Sequence, residues 1–171
     1  VTDDLKLLID ERELKGIINN LACRIRADYK GKTPVVLGVL SGSFIFLADL
    51  VRALDMDVEI DFLKASSYGK RLVPSEKVLV DEDLVSTDLK GKDVIIVEDI
   101  IDTGNTLRNL LKYIDNFEPS SVRTCALLKR EKSAIEFDYV GKIIGEGFIV
   151  GYGLDYKGKF RNLPAVYVLG E

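Results

Sequence analysis

VIIVEDIIDTGNTL, Val94 to Leu107, is the stretch that decides the fold class. Val94 to Val97 is an unbroken β-branched run, which fits a strand covered on both faces, as in a parallel sheet, better than a strand with one wet face. Polar groups follow at its carboxyl end: Glu98 and Asp99 close the run, then Asp102, Thr103 and Gly104. Beyond them Leu107, Leu110, Leu111, Ile114 and Phe117 recur at helical spacing and share one stripe. The segment reads as strand, short loop, helix.

Free N–H groups at the start of that helix, from about Thr103 to Leu107, favour an anion such as phosphate, with the helix dipole behind them. Gly104 lets the backbone approach closely, and the Thr103 and Thr106 hydroxyls add donors. Three carboxylates facing the same phosphate would repel it. Glu98, Asp99 and Asp102 must address other groups: sugar hydroxyls, a hydrated divalent cation, or a proton on a base. Acids that only cap the helix would show the same spacing, so spacing alone leaves both readings open.

The same strand–turn–helix pattern recurs outward from this stretch. Pro34 to Leu40 is a second apolar run, followed by Ser41-Gly42-Ser43 and a helix carrying Phe44, Leu47, Ala48, Val51 and Leu54. Val58 to Ser66 and Ser121 to Leu128 read as further strands. Before them, Asp10 and Glu13 make a capping box for an amphipathic helix to about Tyr29, with Leu14, Ile17, Ile18, Leu21, Ala22 and Ile25 on its apolar stripe. Strands alternating with helices imply right-handed crossovers, a parallel sheet, and binding at the carboxyl ends of the strands. Ser67 to Asp93 breaks the rhythm, and a connection of that length suggests a lid from about Ser67 to Lys77, then a short strand at Val78 to Val80.

Composition narrows the chemistry. The 171 residues suggest one domain, and 47% apolar with 30% charged residues is ordinary for a globular protein. A net charge of −4 gives no general basic footprint for nucleic acid. No apolar stretch has the length of a membrane span, and the acidic start does not resemble a signal peptide, so the expected location is cytoplasmic. Histidine is absent, which excludes Ser-His and Cys-His nucleophiles and ordinary zinc sites, leaving carboxylates, Lys or Tyr for proton transfer. Cys23 and Cys125 are expected to be buried free thiols.

With these residues in view, VIIVEDIIDTGNTL resembles the phosphoribosyl-diphosphate signature of the phosphoribosyltransferases, and above all of those that use hypoxanthine and guanine. The likeness runs from about Val35 to Leu169. It implies a type I fold: α/β, a central, mostly parallel sheet flanked by helices, with a small hood built from the terminal segments. One domain, 1–171, would comprise a core at about 35–145 and a hood from the N-terminal segment and about 146–171. The implied activity is Mg2+-dependent purine salvage, transfer of phosphoribosyl from 5-phosphoribosyl 1-diphosphate to an oxopurine base.

The resemblance also distributes roles. Glu98, Asp99, Thr103, Gly104, Asn105 and Thr106 would bind the ribose 5-phosphate, and Asp102 would be the general acid–base. Ser41, Gly42 and Arg161 would bind diphosphate, with a non-proline cis peptide before Ser41. Family members commonly carry a basic residue where this chain has Ser41, so backbone N–H groups must do more of that work here. Glu98, Asp99 and Asp155 would serve the metal. Phe148 and Ile149 would hold the purine by stacking and backbone contacts, and Lys129 or Arg130 would donate to its six-position oxygen, Lys129 being preferred by residue type and Arg130 by spacing. Ser67 and Tyr68 would belong to the lid loop, which keeps water off the activated sugar. A homodimer or homotetramer is expected, without nucleic acid or membrane partners. The alternatives are a phosphoribosyltransferase preferring another base, such as xanthine, and an RNA-binding pyrimidine attenuation regulator on the same fold.

Overall fold

The computed structural model describes residues 5–64, 85–102 and 105–170. Among them, in chain order, are β1 (Leu5–Ile9), α1 (Glu11–Asp28), β2 (Val35–Leu40), α2 (Phe44–Leu54), β3 (Glu59–Lys64), β4 (Asp93–Ile101), α3 (Asn105–Asp115), β5 (Ser121–Arg130), β6 (Tyr139–Ile144), β7 (Phe148–Val150) and β8 (Val166–Leu169). Five strands form a sheet in the order β3-β2-β4-β5-β6, every pair parallel. The hood is a separate three-stranded sheet, β1-β8-β7, paired antiparallel. The strands at both ends of the chain build it.

The apolar run of β4 is buried on both faces, as its composition requires. Ile95 and Val97 join the cluster under α1 and α2, while Val94 and Ile96 join the cluster with Leu107, Leu110 and Ile114 of α3. Successive residues of a strand point to opposite faces, so one short sequence supplies both cores. Burying a single Leu or Ile of this kind stabilises the fold by roughly 1.5–3 kcal/mol. α1 starts where the capping box placed it: Asp10 accepts from the Glu13 N–H at 2.7 Å. Its stripe of Leu14, Ile18, Leu21, Ala22 and Ile25 is buried. At the other end, the Asp28 carboxylate accepts from the Tyr139 hydroxyl and from Arg123, both at 2.6 Å, which ties the helix to β5 and β6.

Four expectations need correction. β4 does not end at Val97 but continues to Ile101, because pairing with β5 persists past the carboxylates at Glu98↔Ala126, Ile100↔Leu128 and Ile101↔Lys129. Phe117 lies beyond the end of α3 and reaches the same core from the following turn, its ring edge-on to Tyr113 at 5.1 Å. Cys125 is buried and free as expected, whereas Cys23 is exposed, on the outer side of α1. β5 extends to Arg130, two residues past the expected end, and carries Lys129 into the sheet. The lid residues Ser67 and Tyr68, the rest of the expected lid and the short strand at Val78 to Val80 lie outside the described residues.

Candidate active site

Parallel register brings the candidate residues to one end of the sheet. Gly38 of β2 pairs with Val97 of β4, so the turn after Leu40 sits level with the Glu98-Asp99 pair. Ile101 pairs with Lys129 of β5, which places Lys129 beside Asp102, the exposed residue just past β4. These are the carboxyl ends of the strands, where loops gather in an open parallel sheet.

The turn Leu40 to Ser43 carries the cis peptide expected before Ser41. The Ser43 hydroxyl turns back to donate to the Val39 carbonyl at 2.6 Å and does not cap α2. The first N–H groups of α2 thus lack a side-chain acceptor, the arrangement that favours an anion at a helix start. Gly42 has no room for a side chain: a Cβ there would fall inside the Asp99 carboxylate. A Cβ on Gly153, whose φ is +98°, would strike the Gly42 carbonyl. Three segments remote in sequence therefore meet within van der Waals contact at Gly42.

Arg161 completes this cluster. Its guanidinium pairs with the Asp155 carboxylate at 2.7 Å and donates to the Gly153 carbonyl at 2.6 Å. Asp155 also accepts from the Gly158 N–H at 2.7 Å, which closes the turn after it. Asp99 accepts from the Ile100 N–H at 2.8 Å. Arg161 is close enough to lower the pKa of Asp99 and Asp155 to raise it, so all three share one electrostatic environment.

The carboxylates at the end of β4 are poorly solvated. Burial pushes Glu98 up to about 8, with the neighbouring Asp99 charge adding to the effect. Burial also raises Asp99, against the pull of the Ile100 N–H and Arg161. Such a pair gains from an added positive charge. Among the described residues no group of three or more His, Cys, Asp or Glu side chains could cage a metal ion. The oxygen-only donors fit a hard cation held by one or two carboxylates together with substrate oxygens, which is how magnesium is commonly bound in phosphate sites.

In the hood, Phe148 opens β7 and is half exposed at 52%, while Ile149 is buried. The Lys129 side chain makes no hydrogen bond or ion pair among the described residues, but the Arg130 guanidinium donates to the carbonyls of Gly145 and Gly147 at 2.5 and 2.6 Å. Asn105 and Thr106 begin α3, and Thr103 and Gly104 lie outside the described residues. Two contributors escaped the sequence reading. Gly153 was visible only as one glycine in GYGLDY, and Tyr156, whose ring stands edge-on to Phe148 at 5.3 Å, had no pattern to mark it.

A parallel sheet whose carboxyl end joins a carboxylate pair, a glycine turn and an Arg-Asp pair has the donors and acceptors to hold a ligand with both anionic and hydroxyl groups. The phosphoribosyl transferase domain family matches residues 7–157, and the chain belongs to that family. Within it, similar curated proteins include hypoxanthine-guanine phosphoribosyltransferases. The one from Aquifex aeolicus is 43% identical over 171 residues, covering 98% of this chain and 96% of its own. The crystal structure of a hypoxanthine-guanine phosphoribosyltransferase from Bacillus anthracis superposes with a TM-score of 0.84 at 40% identity, covering 96% of this chain and 98% of that one. A hypoxanthine-guanine-xanthine phosphoribosyltransferase gives a TM-score of 0.81 at 33% identity, covering 99% and 97%.

Proposed function

We propose that this protein is a purine-salvage enzyme that transfers the phosphoribosyl group of 5-phosphoribosyl 1-diphosphate to a ring nitrogen of hypoxanthine or guanine. The carbon–oxygen bond to diphosphate breaks, the carbon–nitrogen bond forms, and IMP or GMP leaves with diphosphate. The observation that carries this reading is the convergence of Gly42, Asp99, Asp155 and Arg161 at the end of the strand that leads to Asp102.

Positive charge builds on the sugar in the transition state. Glu98 and Asp99 hold the ribose hydroxyls and stabilise that charge. Asp102, exposed beyond the strand, exchanges the proton of the purine ring as general acid–base. The backbone from Thr103 to Thr106 binds the 5′-phosphate. Gly42, Ser41 and Arg161 receive the diphosphate, with Arg161 offering a planar donor fork. Of Glu98, Asp99 and Asp155, one or two at a time would hold Mg2+ together with substrate oxygens, and the ion would neutralise charge on the leaving diphosphate.

Phe148 stacks on the base, Ile149 supplies backbone contacts, and Lys129 donates to the six-position oxygen. An amino group at that position would leave the lysine unpaired, which favours oxopurines over adenine. Ser67 and Tyr68 belong to a loop that closes over the bound sugar. The chain works as one domain in the cytoplasm, as a homodimer or homotetramer, without a nucleic-acid or membrane partner. No helix among the described residues is long and apolar enough to cross a membrane.

A base panel of hypoxanthine, guanine, xanthine, adenine and uracil, each with phosphoribosyl diphosphate and magnesium, tests the reading. Turnover is expected with hypoxanthine and guanine. Turnover confined to uracil or adenine, or none at all, would overturn it.

A further inference from the structure

The two neighbouring cations at the end of β5 are used differently. Lys129 and Arg130 are adjacent on a strand and so point to opposite faces. The Arg130 guanidinium spends two donors on main-chain carbonyls, Gly145 at 2.5 Å and Gly147 at 2.6 Å. Those carbonyls belong to the link between β6 and β7, and Phe148 follows immediately. Gly147 has a φ of +108°, a conformation that L side chains rarely adopt, so the link enters β7 through a defined bend. Glu131 anchors the same corner, its N–H donating to the Ile144 carbonyl at 3.0 Å. The Phe148 ring also meets the Tyr156 ring in a T-shaped contact, with centroids 5.3 Å apart and an interplanar angle of 77°.

We infer that Arg130 is a positioning residue for base binding: its fork fixes the Gly145 to Gly147 link, and so holds the Phe148 ring in place before the base arrives. The T-shaped contact with Tyr156 braces the same ring. Of the two cations, only Lys129 is left to address the six-position oxygen of the base. A planar fork can hold two carbonyls at once, and an ammonium on a flexible stem cannot reproduce that geometry. A half-exposed ring that is already fixed loses little freedom on stacking, so the benefit falls on the affinity for the base.

This inference rests on the proposed function for its kinetic arm only. Arg130→Lys and Arg130→Gln, compared with the unmodified full chain, should each raise the KM for hypoxanthine roughly tenfold. KM for phosphoribosyl diphosphate and kcat should stay within about twofold. Hydrogen–deuterium exchange over residues 145–150 should accelerate in both variants, while Lys129→Met leaves that exchange unchanged. An unchanged KM for hypoxanthine, a parallel rise in both KM values, or unchanged exchange would each overturn the role. So would a shift in preference between hypoxanthine and adenine, which would make Arg130 the reader of the base. If the unmodified chain turns over no base, the functional reading fails, and the exchange measurement still decides the role of Arg130.

Discussion

Replacing Glu98 by Gln removes a carboxyl that the metal-free, substrate-free protein holds in its protonated form. Burial raises this group from 4.5 to about 8. Between those values the folded state keeps a proton that the unfolded chain releases, so stability falls as pH rises through that window and levels off above about 8. Each pH unit across the window corresponds to about 1.4 kcal/mol, which sets an upper limit of roughly 5 kcal/mol on the loss. Gln is nearly isosteric and never ionises, so the variant lacks this pH dependence. The assay is urea denaturation of both proteins, without divalent cations, at pH values from 5 to 9. The variant should gain stability relative to the parent by at least about 1–2 kcal/mol between pH 5 and 8, since relaxation and water entry reduce the ideal figure. A difference that stays constant across that range would refute the reasoning, because it would mean that Glu98 is solvated like an ordinary carboxylate.

Other outcomes follow from particular contacts. Gly42→Ala places a methyl group inside the Asp99 carboxylate; KM for phosphoribosyl diphosphate should rise at least about tenfold, equivalent to about 1.4 kcal/mol, as read by steady-state kinetics. Leu21→Ala, at a site with no exposure under α1, should destabilise the fold by about 2–5 kcal/mol in denaturant titrations while leaving base preference unchanged. Lys129→Met should narrow the discrimination between hypoxanthine and adenine by roughly tenfold or more, measured as the ratio of their kcat/KM values.

What could be read from sequence follows the range of the interactions concerned. The β4 run, the α1 stripe and the capping box are local patterns set by side-chain period, and each appears in the fold. The end of β4 was misplaced because hydrogen bonds to β5 extend the strand through residues whose polarity suggests a turn. Cys23 was misplaced because thiol burial depends on which side of α1 it occupies, and its position lies off the apolar stripe. β1 and β8 are short strands that pair with each other from opposite ends of the sequence, so alternation alone did not single them out. In the site, the acids after the β4 run stand out in the sequence, but their spacing alone fits helix caps as well as ligand groups. The contact of Gly42 with Asp99 and of Gly153 with Gly42 was not legible, since a missing side chain leaves no pattern until the partner backbone is known. Lys129 and Arg130 stayed ambiguous for a related reason. What separates them is a pair of main-chain carbonyls, and these have no side-chain signature.

In the proposed reaction three neighbouring acids divide the labour, with Asp102 taking the proton of the base and Glu98 and Asp99 holding the sugar and metal. Asp102→Asn, measured for forward kcat and for IMP affinity in the same preparation, tests it most directly. The expected result is a fall in kcat of about 10²- to 10⁴-fold with IMP affinity changed by less than about tenfold. Equal losses in both quantities, or no loss in either, would contradict it.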